Sequence, residues 1–454
     1  MADVWVILLA GSAMVLVGFV AAQLFDRFRF PDYFILLAIG LVLGSGVIPM
    51  GGLDPRESLE TVAPFLTKIA LAFILFEGGL VLHFRGMGRA WGVAAAHTFA
   101  AMALATLGMW LVAVYGLGLA STTGVILALA FCGPSATIVL SFLPRVSVAD
   151  RTRFTLTVEG VVGNIVAAVF VLLLVNSPGA VTEFAAVAAY AVPLLLAVVL
   201  AWATGEAWAL AVGRRGVPSF AFMTSVALAV LLYAVGEGLL DGNGGLAAFV
   251  FGLVLGHRRV LAAPANGSPS ARGLQEFHRE LVFLLRTFFF LYLGMRVTIT
   301  GVQWPVLVGA VAFTAVFFAS RAPSTAALGR VWRLPALDRR ILQATVGRGM
   351  TDTVLILFAI AEGVIPPAEA SLVTDLLFLV ILTAAFASAV LVFRAERIAR
   401  RAPAPAPAPP ARAFDPRGPR PRPLPVPRGP AREAGRDRLS VRTETQRGAV
   451  TMHP

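Results

Sequence analysis

The sequence predicts an all-α polytopic membrane protein with about thirteen transmembrane helices. Of its 454 residues, 58% are hydrophobic and only 14% are charged, whereas a soluble domain carries about 25% charged residues. The mean hydropathy is +0.83, and the apolar character runs from residue 4 to about residue 393. This composition excludes an ordinary soluble enzyme, which could not cover its surface with so few charges, and it excludes a protein with a single anchor.

Thirteen apolar runs are long enough to cross a bilayer. A span needs about 20 residues, or fewer where the helix is broken or tilted. The predicted spans cover residues 4–24, 33–49, 62–83, 91–115, 119–143, 154–176, 184–212, 217–236, 243–257, 280–298, 303–320, 341–362 and 370–393. The first run is too long for a cleaved signal peptide and has no basic segment before it.

The arginines fall on alternate sides of this arrangement. Alternate loops and the segment after residue 393 hold almost all of them, and the opposite loops hold only Arg56 and Arg296. Because cytoplasmic loops are enriched in arginine, we expect an external N-terminus and a cytoplasmic C-terminus in the cell membrane. The same reasoning assigns Arg321 to the cytoplasmic loop after span 303–320.

The end of the chain differs from the transmembrane domain, which we assign to residues 1–395. Thirteen of the 29 prolines and ten arginines lie from residue 402 onward, in stretches such as APAPAPAPP. Alternating Ala-Pro favours extended polyproline II and cannot build a core. We therefore predict that residues 396–454 form a disordered cytoplasmic tail. The net charge of +12 then indicates orientation and contact with anionic membrane lipid, and not nucleic-acid binding.

No pattern in the sequence indicates an enzyme or a cofactor. The single cysteine, Cys132, excludes an intrachain disulfide, and the five histidines are scattered. Gly347-Arg348-Gly349 lacks the spacing of a phosphate-binding loop. We expect a transporter that uses neither ATP nor a resident cofactor.

Ionisable residues inside the spans are the candidates for function. A charge at the bilayer centre costs on the order of 3 kcal/mol, so such residues usually line a cavity or form pairs. Glu77, Glu159, Arg348 and Asp352 are the strongest candidates, whereas Lys68, the only lysine, is close enough to an outer helix end to reach water. Arg348 and Asp352 are four residues apart and share a helix face. Glu159 lies at a depth comparable to Arg348, and a pair between them fits a structural role as well as a functional one.

Two spans contain helix-breaking sequences at mid-depth. The fifth contains Gly133-Pro134, and the twelfth contains glycines on both sides of Arg348. Proline removes a backbone donor and disrupts the helix. Interrupted spans at corresponding positions of two halves are typical of secondary transporters. Since these spans are seven apart, the two halves are predicted to form an inverted repeat.

Seven short motifs follow one another along the chain: Leu75-Phe76-Glu77-Gly78-Gly79-Leu80, Gly133-Pro134-Ser135, Glu159 to Asn164, Gly244-Gly245-Leu246-Ala247-Ala248-Phe249, Phe288-Phe289-Phe290, Ser320-Arg321-Ala322-Pro323 and Gly347-Arg348-Gly349. In this order they resemble the motifs of the monovalent cation/proton antiporters, specifically the thirteen-span sodium or potassium/proton exchanger branch. The resemblance covers about residues 5–395.

The resemblance implies a core of six helices containing two crossing broken helices, a dimerisation domain and elevator-like alternating access. It also implies that Glu159 pairs structurally with Arg348 and that Glu77 helps to line the ion site. The chain departs from the family at the site itself, because the family's Asn-Asp is Gly163-Asn164 here. The Thr-Asp of the family's Thr-Asp-Pro is likewise replaced, by Cys132 and Gly133.

An amide can ligate a cation through its oxygen but cannot take up a proton near neutral pH, so another group must titrate. Asp352 or Glu77 carries the proton, or Glu159 exchanges while Arg348 pairs with Asp352, or the protein binds ions without coupled antiport. Burial favours the protonated form of a carboxylic acid, which suits the first two alternatives.

The sequence thus predicts a secondary transporter that exchanges Na⁺ or K⁺ for protons, as a homodimer. A carrier of another solute on the same fold and a sensor whose tail recruits a partner remain alternatives. The predicted ion-binding residues are Glu77, Cys132, Gly133, Ser135, Asn164 and Asp352, and the predicted structural pair is Glu159 and Arg348.

Overall fold

A computed structural model describes residues 4–28, 32–45, 55–81, 88–135, 148–176, 184–215, 220–258, 269–297, 303–345 and 347–401. Within these ranges the chain forms fourteen α-helices, with a π-helical turn, Val112–Gly116, between the fourth and the fifth. The helices are α1 Val4–Phe28, α2 Asp32–Gly44, α3 Pro55–Val81, α4 Gly88–Leu111, α5 Ser121–Ala130, α6 Asp150–Asn176, α7 Phe184–Arg215, α8 Ala221–Leu239, α9 Gly244–Arg258, α10 Pro269–Arg296, α11 Trp304–Val331, α12 Ala336–Ala344, α13 Met350–Ala361 and α14 Pro367–Arg401.

The predicted all-α, multi-span class is confirmed. Seven of the described helices are long and apolar enough to cross a membrane, and shorter apolar segments accompany them. Helices suit these sequences because a lipid-embedded backbone must satisfy its own hydrogen bonds, and a helix does so within one segment. The count of thirteen spans remains a prediction.

Helix packing divides the described helices into two groups. The panel group contains α1, α2, α3 and α7 to α10, with extensive contact of α9 on α3, α7 and α8, and of α10 on α2. The core group contains α4 to α6 and α11 to α14, with α4 packed on α5, α6 and α11, and α14 packed on α11 and α12. The groups meet where α13 and α6 contact α3.

Glycines allow the closest helix contacts of the panel group. A methyl group added to Gly252 of α9 would overlap the carbonyl oxygen of Phe76 on α3. In the same way, a methyl group on Gly40 of α2 would overlap the carbonyl oxygen of Leu291 on α10. Without a hydrophobic effect between helices in lipid, such direct backbone contact is a main source of helix association.

At both predicted interruptions a helix ends in the structure, and we call these two places the helix breaks. Helix α5 ends at Ala130, inside predicted span 119–143, and the rest of that span beyond Ser135 lies outside the described residues. The twelfth span is divided into α12 and α13. The breaks touch, because the backbone N–H of Ser135 donates to the carbonyl oxygen of Gly347 over 2.9 Å.

Two predicted boundaries are wrong. The eleventh span does not end at residue 320, because α11 continues to Val331 and carries Arg321 fully buried in its interior. The last helix continues to Arg401, six residues into the segment predicted to be disordered. Residues 402–454 lie outside the described part of the chain, so the prediction for the tail remains untested.

Candidate functional site

A buried ion pair joins α6 to α11. Arg321 Nη2 donates to Glu159 Oε2 over 2.6 Å, and both side chains are fully buried. The same guanidinium also donates to the carbonyl oxygens of Leu342 and Thr345, at 2.7 and 2.6 Å. These carbonyls lie at the C-terminal end of α12, where a helix has unpaired acceptors and a partial negative charge. Arg321 therefore satisfies a carboxylate and a helix end at once.

The predicted pair of Glu159 with Arg348 is wrong, because Arg321 occupies the position of its cation. Arg348 Nη1 instead donates to the carbonyl oxygen of Gly133 over 2.8 Å, so it connects the two helix breaks. A carbonyl just beyond the end of α5 suits a cation for the same reason as the end of α12. The guanidinium of Arg348 is thus a bridge between broken helices and not a partner of Glu159.

One aromatic ring lies beside both arginines. The Cζ atom of Arg348 is 3.9 Å from the centroid of Phe317, and that of Arg321 is 5.4 Å from the same centroid. Phe131, the residue after α5, has its own centroid 5.4 Å from Arg348 Cζ. A guanidinium close to an aromatic face is attracted to the ring, and the attraction grows when water is excluded. The rings help to hold two like charges in an apolar interior.

Asp352 lies in the first turn of α13 and is fully buried. Its Oδ2 accepts the backbone N–H of Gly349 over 3.3 Å, which caps the helix. Its Oδ1 is buried and has no hydrogen-bond partner among the described residues. A carboxylate at a helix N-terminus is favoured by the helix dipole, but an unsatisfied buried oxygen is costly. Asp352 is thus held in place through one oxygen, and its other oxygen is left unsatisfied by the described residues.

The break between α12 and α13 is electrostatically matched on both sides. The positive Arg321 lies at the negative C-terminal end of α12, and the acidic Asp352 lies at the positive N-terminal end of α13. Gly349 permits the close approach, since a methyl group there would overlap the hydroxyl of Ser135. The broken helices can therefore meet inside the bundle without leaving their ends uncompensated.

Helix α6 passes the first break with its backbone close to that of the break, because both contribute a glycine at the contact. A methyl group added to Gly133 would lie 3.3 Å from the backbone of Gly163, which leaves little room for a longer side chain. Asn164 follows Gly163 on α6 and is 9% exposed, and its backbone nitrogen is 3.7 Å from the same added methyl. The backbone of Asn164 therefore lies next to the break, and its role in ion binding remains a prediction.

The remaining predicted residues lie around this junction. Cys132 and Ser135 are buried in the first break. Glu77 is half-buried on α3, and the next residue, Gly78, packs against Ile165, the residue after Asn164. The structure thus brings Gly133, Ser135, Arg348 and Asp352 into one junction. It places Asn164 beside this junction and Glu77 on the neighbouring helix of the panel group.

Three buried residues near the junction were not predicted as its components: Arg321, Phe317 and His97. His97 on α4 has its Nε2 3.7 Å from Glu159 Oε2, and neither ring nitrogen has a hydrogen-bond partner in the described ranges. The Arg-Pro element of the sequence could have pointed to Arg321. For Phe317 and His97 the single sequence offers no signal, because their roles depend on contacts across helices.

Comparison with known proteins agrees with this architecture. The profile of the family described as sodium/hydrogen exchanger, transmembrane, matches residues 12–395. A K(+)/H(+) antiporter, NhaP, of Alkalimonas amylolytica is 26% identical over 373 residues, which cover 78% of this chain and 60% of the relative. This chain therefore matches less than two thirds of the length of that relative.

Solved structures show the same fold. The sodium proton antiporter MjNhaP1 of Methanocaldococcus jannaschii, determined at pH 8, superposes with a TM-score of 0.67 at 17% identity, covering 87% of this chain and 98% of that one. An electron-microscopy structure of the same protein gives a TM-score of 0.62 at 16% identity, with 87% and 97% covered. With a family profile matching most of its length and paired helix breaks at its centre, the chain belongs to the sodium/hydrogen exchanger family of transmembrane proteins.

Proposed function

We propose that this protein exchanges a monovalent cation, Na⁺ or K⁺, for protons across the membrane by alternating access. Membership of the exchanger family supports the reaction, and the names of the relatives support both cations. The observation that carries the proposal is a buried, unpaired carboxylate oxygen, Asp352 Oδ1, at the contact between two helix breaks. A proton or a cation satisfies such an oxygen, and the two compete for it.

Asp352 is the proposed exchanging group. Asn164, at the position of the family's aspartate, cannot be protonated near neutral pH and serves as a neutral oxygen ligand. Glu159 is a poor candidate, because Arg321 holds it at 2.6 Å and a buried carboxylate so paired remains ionised. Backbone oxygens of the unwound segment, at Cys132 and Ser135 on either side of Gly133-Pro134, complete the proposed cation shell.

The proposed function also includes a role for Glu77, an orientation in the membrane and an assembly. Glu77 lines the approach from the panel group and attracts the cation. The arginine-rich loops favour the cell membrane, with the N-terminus outside and the C-terminus in the cytoplasm. A homodimer through the panel group and contact of the basic tail with anionic lipid complete the proposed assembly.

Exchange is tested with purified protein in liposomes. A proton gradient is imposed, Na⁺, K⁺ or Li⁺ is added in turn, and the internal pH is followed. We expect at least one cation to dissipate the gradient. A correctly inserted protein that responds to none of the three would contradict the proposed reaction.

The exchanging group is tested by Asp352→Asn. The amide oxygen of the variant can still accept the Gly349 N–H, so the helix cap survives while the titrating group is lost. We expect exchange to fall to the level of protein-free liposomes, with an unchanged melting temperature. The matched control is Asp375→Asn on α14, a second buried aspartate, for which we expect activity close to that of the natural protein.

A double variant tests whether the loss of exchange in Asp352→Asn comes from the missing carboxylate or from a general disturbance of the structure. Asn164→Asp combined with Asp352→Asn returns one titrating group to the junction, and we expect it to restore part of the exchange. Glu77→Gln, tested separately, is expected to weaken the apparent affinity for the cation without abolishing exchange. Full activity of Asp352→Asn together with loss of activity in Glu77→Gln would assign the proton to Glu77 instead.

A further inference from the structure

Three charged side chains meet at one end of the helix bundle, away from the junction of the breaks. Lys68 Nζ on α3 is 2.9 Å from Glu362 Oε1, just after α13, and 3.7 Å from Glu237 Oε1 near the end of α8. Lys68 is the only lysine in the chain. Its ammonium group also lies 6.0 Å from the ring centroid of Phe358 on α13. This is the end that the arginine distribution predicts to be external.

The two ion pairs of Lys68 differ in what they connect. Lys68 and Glu237 both belong to the panel group, since α3 packs on α8. Glu362 belongs to the core group, at the end of the broken helix that also carries Asp352. The shorter pair therefore joins the two groups of helices, and the longer one lies within a single group.

Glu237 has an acceptor that the structure leaves unused. Within the described part of the chain, its Oε2 atom is buried without a hydrogen-bond partner, and so is the hydroxyl of Tyr233 one helical turn earlier. A pair that only held the helices together would need one carboxylate for one lysine. Burying a second, partly unsatisfied carboxylate beside it costs free energy. The unused Oε2 of Glu237 points to a second conformation of the protein, in which this oxygen is paired.

We propose that Lys68 is an exchangeable ionic latch, which holds α13 in the conformation shown here and transfers to Glu237 when the core group moves. This inference rests on the proposed alternating-access function. When α13 withdraws, Lys68 would otherwise lose its shorter ion pair, the one with Glu362. Glu237 travels with Lys68 and lies 3.7 Å away, so the ammonium changes partner and keeps a counter-charge throughout.

The single lysine allows a direct test in nearly natural protein. In the variant Glu362→Cys, a short, cleavable reagent that joins an amine to a thiol ties Lys68 to position 362. We expect exchange in liposomes to stop after cross-linking and to return after cleavage. In the matched variant Glu237→Cys, the same reagent ties Lys68 within the panel group, and exchange should stay at its rate before cross-linking.

The outcomes separate the latch from the proposed function. If the variants exchange before the reagent is added and the link to position 362 has no effect, the latch is refuted and antiport stands. If both links stop exchange equally, Lys68 does not change partners and the latch is again refuted. If the unmodified natural protein shows no exchange, the proposed function itself fails.

Charge-neutral variants provide a second test that needs no cross-link. Glu237→Gln removes the alternative partner and should slow exchange roughly fivefold, the factor that corresponds to an ion pair of about 1 kcal/mol. Glu362→Gln removes the latch and should not slow exchange. Equal slowing by both variants, or slowing by Glu362→Gln alone, would contradict the transfer of Lys68 between carboxylates.

Discussion

The helices of the panel group and those of the core group pack together inside the bilayer in different ways. In the panel group, α9 and α3 come together through glycines, and backbone touches backbone at Gly252 and Phe76. In the core group, Glu159, Arg321 and Arg348 are buried together among broken helices. The difference shows that close packing needs no charge where helices are continuous. The described ends of the broken helices, in contrast, lie beside charges: Arg348 after α5, Arg321 at the end of α12 and Asp352 at the start of α13.

The contacts of the two groups are also sensitive to different kinds of mutation. The panel contacts depend on glycines, which have no side chain, so an added methyl group disturbs them. The core contacts depend on complete sets of partners, so they are disturbed by removals. Variants in the two groups should differ accordingly, and three of them test the distinction from the largest expected effect to the smallest.

Arg321→Leu should have the largest effect. The substitution leaves Glu159 as an unpaired buried charge and exposes the carbonyls of Leu342 and Thr345 at the end of α12. Removing one partner of a buried pair typically costs about 3–5 kcal/mol. We expect a large drop in the melting temperature of the protein in detergent. Adding Glu159→Gln should recover part of the loss, and no recovery would mean that the carbonyl contacts dominate.

Gly252→Ala should have an intermediate effect. Its added methyl group meets the carbonyl oxygen of Phe76, and backbone cannot rotate away as a side chain can. Overpacking of this kind costs about 1–3 kcal/mol. The matched control is Gly92→Ala on α4, where an added methyl group meets no atom within 4 Å. Equal free energies of unfolding for the two variants would show that α3 and α9 are not tightly packed.

Ser388→Ala should have the smallest effect. The Ser388 hydroxyl donates to the carbonyl oxygen of Ala344 over 2.9 Å, at the same end of α12 that Arg321 serves. A neutral hydrogen bond of this type contributes about 0.5–1.5 kcal/mol. We expect a small decrease in melting temperature and nearly full exchange activity. A loss as large as that of Arg321→Leu would show that capping, and not charge, stabilises the helix end.

Local chemistry made the helix breaks predictable. Gly133-Pro134 and the glycines around Arg348 disfavour a continuous helix wherever they occur, so the sequence alone located both interruptions. The buried Asp352 was predictable for a similar reason, since a carboxylate inside an apolar run is expensive and must have a use. Each of these inferences needs only neighbouring residues.

Contacts between distant segments were not predictable from one sequence. Arg321 lies at the end of an apolar run, and from hydropathy alone such an arginine marks the end of a span. In the structure its charge is satisfied by Glu159, 162 positions earlier, so α11 continues. Two arginines were available for one glutamate, and only the three-dimensional arrangement decides between them. Lys68 reaches water as predicted, with 41% of its side chain exposed, but its partners Glu237 and Glu362 lie far along the chain and could not be predicted.

The arginines of the core have a consequence for the electrical behaviour of exchange. A guanidinium keeps its charge under all physiological conditions, so Arg321 and Arg348 balance ionised Glu159 and Asp352. With Asp352 as the exchanging group, one bound cation and one bound proton give these four side chains the same total, a single positive charge. A membrane potential of 100 mV acts on each elementary charge with about 2.3 kcal/mol. A carrier that bears equal charge on both legs performs no net electrical work over a cycle, so the equilibrium of the proposed one-for-one exchange is set by concentrations and not by the membrane potential.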